Sequence, residues 1–451
     1  MRLKVEQLAK IEQATIDVKN LTVFVGKNST NKSYMAHTVY MVNKTISTHY
    51  DKADNVLTLL SRDYKKTTMY LEHLDLLKTV KKEIKLSVDE DEFRAVILDF
   101  SSVDISRIIY DIEQFLIQYI LEFINQSYNT NQKIIKNISF ENYKRPISNL
   151  FENNQLKFGS PIEDMDNRFA LNRVFNKVKK SFIREQIAQK TFYFPSSRTG
   201  FVLAFDEIVS GVLRGQFSGK PTTTKMTEPM IDFISNFSDI KSGNFNDETD
   251  DRDSCIQKLF EFIEKRIIKG KIVEEQTPQN YTQFYLETSN KQKLDLHLSS
   301  SASVELLPLI IFLKHFSTIE DRLLVIEEPE AHLHPKAQIE MARLLVMLSN
   351  AGAKVLITTH SDYILNEISN CIKLSNASQE KKQAYLERYE LDVDTVISAS
   401  DVSAYLFRDI EGEKIEVDEL TIDEYGIAND NFDDILDELL ERTDEINEMV
   451  L

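Results

Sequence analysis

The run Leu323-Leu-Val-Ile-Glu327-Glu328-Pro329 restricts the fold more than any other segment. Four consecutive apolar residues describe a strand covered on both faces, the kind found in parallel sheets. The two carboxylates follow at its C-terminal end, the edge where open α/β sheets bind ligands. A second run of the same kind, Val355-Leu-Ile-Thr-Thr359-His360-Ser361, begins about thirty residues later. From 304 to 372 the pattern alternates helix, strand, helix, strand, helix. That order requires a parallel α/β sheet.

The N-terminal residues supply a further strand. Leu3, Val5, Ile16, Val18 and the run Leu21 to Val25 are β-type and apolar. Gly26 ends the run, a polar loop follows, and Tyr34 to Val42 can be helical. The loop reads Gly26-Lys27-Asn28-Ser29-Thr30-Asn31-Lys32-Ser33. It matches G-x-x-x-x-G-K-[ST] except that Asn31 stands for the second glycine. Such a loop cradles phosphates with inward-pointing amides, here those of Gly26 and Asn28 to Asn31. A lysine meets the outer phosphates, and a hydroxyl meets Mg²⁺. The N-terminus of the next helix adds positive potential. Asn tolerates left-handed backbone angles better than other non-glycine residues, so Asn31 can replace glycine. Strand, loop and helix in this order predict an ATP site with Lys32 and Ser33 at its centre.

The acidic strand end completes the expected chemistry. Glu327 is placed to support Mg²⁺, as Ser33 is. Glu328 is placed to polarise the attacking water. The competing reading is an exposed acidic turn. His360 ends the neighbouring strand and is expected beside the γ-phosphate. Ser300, Ser301 and Ser303 open an apolar helical stretch that runs from Leu306 to Leu313. Taken alone they read as N-capping residues, with an anion site as the alternative.

Elsewhere the chain is less specific. Residues 51–190 contain one glycine, Gly159, and two sets of apolar residues at three- and four-residue steps, 57–77 and 108–124. They read as a mainly helical insertion. Residues 191–230 read as strand and turn, 239–254 as a polar loop, 255–268 as a helix and 272–298 as strands. The net charge is −18, but Glu416 to Leu451 holds fourteen acidic residues and one basic residue, leaving −5 for residues 1–415. Nucleic-acid binding stays open but draws no support from that charge. Two cysteines, Cys255 and Cys371, exclude a disulfide framework. No apolar run approaches the ~20 residues of a spanning helix. The N-terminus resembles neither a signal nor a transit peptide. A cytoplasmic protein without membrane contact is expected.

The four motifs in this order resemble ABC-type ATPases of the RecF, Rad50 and OLD group. Glu327-Glu328-Pro-Glu-Ala-His-Leu-His-Pro335 with Ile357-Thr-Thr-His-Ser-Asp362 is similar to the AAA-15/AAA-21 branch. That branch includes ATPase subunits of bacterial antiphage systems, among them the OLD nucleases and the PARIS, Septu and AbiL types. The resemblance implies an ABC-type P-loop ATPase head, a mixed or parallel sheet flanked by helices, split into 1–50 and 191–415. The insertion would occupy 51–190 and an acidic tail 416–451. It implies that Glu328 and His360 are catalytic and that Lys32, Ser33 and Glu327 serve ATP and Mg²⁺. Ser300, Ser301 and Ser303 would form a signature segment reaching the ATP of a second subunit. Ala331 to Pro335 would be the D-loop, which argues against a metal pair at His332 and His334. Pro195-Ser-Ser-Arg198 is a candidate phosphate or interface contact, and no glutamine stands out as a Q-loop.

A homo-oligomer is therefore expected, a dimer or a dimer-based assembly, with a separate effector nuclease of TOPRIM or HNH type. Asp392 and Asp394 form a D-x-D pair, but the chain around them is too short for a TOPRIM domain of its own. The alternatives are a RecF- or Rad50-like DNA-repair ATPase and a nucleotide-binding interaction module with little hydrolysis. The second draws on Ser29 and Asn31, which stand where glycines are usual.

Overall fold

The computed structural model describes residues 2–51, 190–208, 226–245 and 254–428, with short gaps at 197, 206, 279–280, 289 and 317. It also describes 85–89, 95–99, 135–140 and 155–158, and three single positions, 118, 121 and 125. In chain order the first elements are β1 (Arg2–Leu8), β2 (Ile11–Asp17), β3 (Leu21–Val25) and α1 (Lys32–Asp51). Next come β4 (Lys85–Asp89), β5 (Ala95–Asp99), β6 (Asn137–Phe140), β7 (Gln155–Phe158) and β8 (Lys190–Phe194). Then follow α2 (Arg198–Leu203), α3 (Glu228–Lys241) and α4 (Ser254–Phe262), which runs into a π-helical turn at Ile263–Ile268. A hairpin sheet of β9 (Gly270–Gln276), β10 (Thr282–Thr288) and β11 (Lys293–Asp295) leads to α5 (Ser301–His315). The last part contains β12 (Arg322–Glu327), α6 (Pro335–Asn350), β13 (Lys354–Thr359), α7 (Asp362–Asn376) and α8 (Gln379–Tyr389). It ends with β14 (Val402–Ile410), β15 (Lys414–Glu419), β16 (Ile422–Asp423) and β17 (Gly426–Ile427).

Nine strands form the main sheet in the order β6-β1-β2-β15-β14-β3-β13-β12-β8. From β14 to β8 every neighbouring pair is parallel. The β6-β1-β2 edge and the β15-β14 pair are antiparallel. This is a mixed α/β sheet flanked by helices, and its parallel half holds β12 and β13, the two strands of the alternating pattern. The central strands are apolar on both faces because both faces are covered. Leu21, Val23 and Val25 of β3 enter one core, with Leu324 and Ile326 of β12 and Val355 and Ile357 of β13. Phe24, Leu323, Val325 and Leu356 point the other way, into a second core with Met35, Val39 and Tyr40 of α1. The period-two alternation of side chains along a strand produces this division.

α5 lies in the first core. From Val304 to Leu313 it is apolar around its circumference except for Glu305, and Ser303 to Leu313 are all buried, as a helix without a polar face must be. Phe312 and Phe316 meet Phe192 of β8, with ring centroids 5.6 and 4.6 Å apart.

Some sequence expectations gain detail. The stretch read as strand and turn after 191 contains β8, but it also contains α2 and, from Glu228, α3. Within 51–190 the structure describes four strands. β6 extends the main sheet by pairing with β1, and β4, β5 and β7 form a separate antiparallel sheet. The periodic residues at 57–77 lie outside the described residues. The periodic residues at 108–124 lie outside the described residues as well; Leu121, which is not one of them, is described and sits in the core with α1. β15 runs across the 415/416 boundary expected from the charge shift. Residues 246–253 and the acidic residues from 430 onward lie outside the described residues. No described helix is long and apolar enough to cross a membrane.

Candidate nucleotide site

β3, β13 and β12 are adjacent and parallel, so their C-terminal ends share one edge. Register fixes the neighbours there. Val25 pairs with Thr359, and Glu327 pairs with Thr358. The residues that follow are Gly26, His360 and Glu328, which the sequence spreads over more than three hundred positions.

The loop from Gly26 to Lys32 is tight. Gly26 has φ +150°, and a Cβ built there would lie 2.4 Å from the carbonyl oxygen of Phe407. Ser29 and Asn31 have φ of +65° and +62°, the left-handed region that L side chains occupy at a cost of about 1–2 kcal/mol. These are the two positions where glycine is usual, so the loop keeps a glycine-type path without the glycines. The Thr30 hydroxyl donates to the carbonyl of Lys27 at 2.8 Å. Lys32 Nζ donates to the carbonyls of Gly26 and Lys27, each at 2.7 Å. Burial pushes the Lys32 pKa down, against the pull of Glu328, Glu330 and Glu327. Ser33 follows at the start of α1 and is exposed, as are Asn28 and Ser29.

At the acidic edge the two glutamates differ. Glu327 is buried; its Oε2 accepts from the Ser196 amide at 3.4 Å. Its Oε1 is buried without a hydrogen-bond partner, with His37 Nε2 4.0 Å away. His37 in turn shares a 2.5 Å hydrogen bond with the Tyr193 hydroxyl. Glu328 has φ +43°, and its amide donates to the carbonyl of Thr358 at 2.8 Å. Burial raises the Glu328 pKa, and Glu330 and Glu327 raise it further, against His360 and Lys32.

Glu330 is a site residue that the sequence reading left without a role. It is buried, and its Oε1 accepts from the Thr359 hydroxyl at 2.7 Å and from the His360 amide at 2.8 Å. His360 Nδ1 lies 3.4 Å from the same oxygen. A carboxylate beside Nδ1 orients the ring. The signal is its place in the motif, two residues beyond Glu328 in the turn that follows β12. Gln338 is a second addition. Its amide donates to Leu333 O at 2.9 Å while its carbonyl accepts from Ser361 at 2.5 Å, joining the turn after β12 to the turn after β13.

The residues fit a nucleotide with Mg²⁺. A Cβ would fill the cradle at Gly26. Ser33 and Glu327 offer only oxygen donors, which a hard divalent cation prefers. Glu327 Oε1 is buried with no hydrogen-bond donor of its own.

Three other groups are used locally. Ser300 is the N-cap of α5, its Oγ accepting from the Ser303 amide at 3.2 Å and meeting Ser303 Oγ at 2.8 Å. Ser301 between them is exposed. His334 caps α6 by accepting from the Lys336 amide. Among the described residues no group of three or more His, Cys, Asp or Glu side chains could hold a metal ion. Asp392 and Asp394 flank Lys258 at 3.6 and 3.3 Å, so the D-x-D pair is an ion pair with a lysine. Within the candidate contact segment Pro195 to Arg198, the Arg198 side chain is 2% exposed and donates to carbonyls inside the protein, which takes that side chain out of the expected role.

No curated protein matches the chain. Among solved structures it is similar to an SMC head bound to the C-terminal winged-helix domain of ScpA, with 11% identity and a TM-score of 0.36 over 93% of this chain and 98% of that one. It is also similar to the SMC head domain from Thermotoga maritima, with 9% identity and a TM-score of 0.33 over 93% and 98%. A third is an Smc head with an extended coiled coil bound to a C-terminal domain of ScpA derived from Pyrococcus furiosus, with 9% identity and a TM-score of 0.34 over 99% and 98%. Residues 1–365 match the AAA_15 family, the AAA ATPase domain, and since this is well over half of the chain, the protein belongs to that family.

Proposed function

We propose that the protein binds and hydrolyses ATP at the edge shared by β3, β12 and β13, as the regulatory scaffold of a bacterial antiphage system. The observation behind the hydrolytic reading is the convergence of the Gly26–Ser33 loop, Glu327, Glu328 and His360 on adjacent parallel strands. The loop amides and Lys32 bind the phosphates. Ser33 and Glu327 hold Mg²⁺, which when bound neutralises charge on the phosphate oxygens. Glu328 takes a proton from the attacking water. His360, steadied by Glu330, donates from Nε2 toward the terminal phosphate.

The antiphage role rests on the likeness of the segments 327–335 and 357–362 to those ATPase subunits. On this reading the chain works as a homodimer or a dimer-based assembly. Ser301, exposed at the start of α5, reaches the nucleotide of the partner copy, and a separate nuclease docks on the assembly. The alternative, an interaction module with little hydrolysis, would show ATP binding without turnover. Sedimentation of a Glu328→Gln variant with and without ATP tests the assembly. ATP-dependent dimers are expected. A strict monomer in both conditions refutes the shared site.

A further inference from the structure

Arg198 makes five polar contacts, all inside the protein. Its Nε donates to the Glu305 carbonyl at 3.1 Å, and one terminal nitrogen donates to the carbonyls of Pro195 at 3.0 Å and Glu327 at 2.7 Å. The other terminal nitrogen donates to the Glu328 carbonyl at 3.3 Å and lies 2.9 Å from Glu305 Oε1. Glu305 is fully buried, and its second oxygen accepts from the Thr199 hydroxyl. The carbonyls of Glu327 and Glu328 belong to the two peptide units on either side of the Glu328 Cα. Arg198 therefore grips the backbone of Glu328 on both sides, while that residue holds a left-handed φ of +43°. Glu305 lies on α5, whose first residues are the serine cluster.

A guanidinium is suited to this task. Its planar fork presents five N–H donors in fixed directions and stays charged when buried. A buried ion pair alone is weak evidence for stability, since an apolar pair of the same volume often serves as well. Here the donors are spent on the backbone that aims one particular carboxylate, which an apolar pair could not do.

We propose that Arg198 is a positioning residue that joins the backbone of Glu328 to the helix bearing Ser300–Ser303, so that the aim of the base follows the seating of that helix. This rests on the reading of Glu328 as the base. A shift of α5 when its serines engage a ligand is carried through Glu305 and Arg198 to the peptide units of Glu328. The site would then become competent only when its own helix is engaged.

The test compares wild type, Arg198→Lys, Glu305→Gln and the double variant by equilibrium ATP binding, steady-state turnover and thermal melting. Lysine keeps the charge but offers one point donor in place of the fork. Arg198→Lys is expected to lower turnover about tenfold or more while ATP affinity stays within about threefold, the split of an interaction made in the transition state. Glu305→Gln should lower turnover in the same way. The double variant should be no slower than the worse single one, because both act through one unit. Turnover within twofold of wild type in Arg198→Lys overturns the proposal. So does a parallel loss of affinity, turnover and melting temperature, which marks a purely structural residue. If Arg198→Lys does not fold, Glu305→Gln decides by the same criteria. A wild-type protein that binds ATP without hydrolysing it removes the base reading itself. Turnover in wild type beside an unaffected lysine variant removes only the positioning role.

Discussion

A methyl group on Gly26 would sit 2.4 Å from the Phe407 carbonyl oxygen, and that oxygen belongs to a backbone held by β14 and cannot give way. The loop must then shift. Gly26→Ala is expected to weaken ATP binding at least tenfold in an equilibrium titration, by about 1.4 kcal/mol or more. Lys32→Ala should do the same by removing the ammonium, and unchanged affinity in that variant would contradict the phosphate-loop assignment. Ser29 and Asn31 allow the opposite experiment. Each occupies a positive φ, so replacement by glycine relieves backbone strain. Ser29→Gly and Asn31→Gly should leave ATP affinity within about threefold of wild type, since the loop path is already that of glycine. The core supplies a further check at this scale. Burial, with the Glu367 carboxylate nearby, pushes the Cys371 thiol up to about 12. A thiolate is the reactive form, so at pH 8 a thiol reagent should modify Cys255 in the folded protein and spare Cys371 until the protein unfolds.

The strand ends were the most legible elements. Leu323–Glu328 and Val355–His360 combine an apolar run with a polar terminus, and both strands and their parallel pairing follow from that pattern. The sequence of the serine cluster fits N-capping or an anion site, and Ser300 caps α5. Capping does not exclude the second role for the exposed Ser301. Ser301→Arg is expected to weaken ATP-dependent assembly or turnover while leaving ATP binding at Lys32 intact, which paired binding and sedimentation measurements would show. The burial of Arg198 is not legible locally, because an arginine in a polar turn gives no sign of it. The sign lay a hundred residues away, where Glu305 interrupts the apolar run of α5 and so requires a buried cation. Glu330 was missed for a related reason. Its partner, His360, comes from a different strand, and only the register of β12 against β13 brings the two together. Glu330→Gln keeps an oxygen for the Thr359 hydroxyl and the His360 amide but removes the charge beside Nδ1. Turnover is expected to fall about tenfold, the low end of what is lost when a carboxylate orienting a metal-bound histidine is removed, with ATP affinity little changed.

At the scale of the whole molecule, the α/β class was readable because alternation of helix and strand leaves few topologies. The main sheet also takes in strands that the sequence did not reveal. β6 from the insertion extends one edge, and β15 continues past the point where the acidic charge begins to dominate. The sheet organises the account of function, since its three central parallel strands bring residues 26–33, 327–330 and 360 to one edge. ATP binding and turnover measured side by side for wild type and Glu328→Gln test this account most directly. It predicts equal affinity and turnover lowered on the order of 10²–10⁴-fold in the variant. Turnover in Glu328→Gln equal to that of wild type would contradict it.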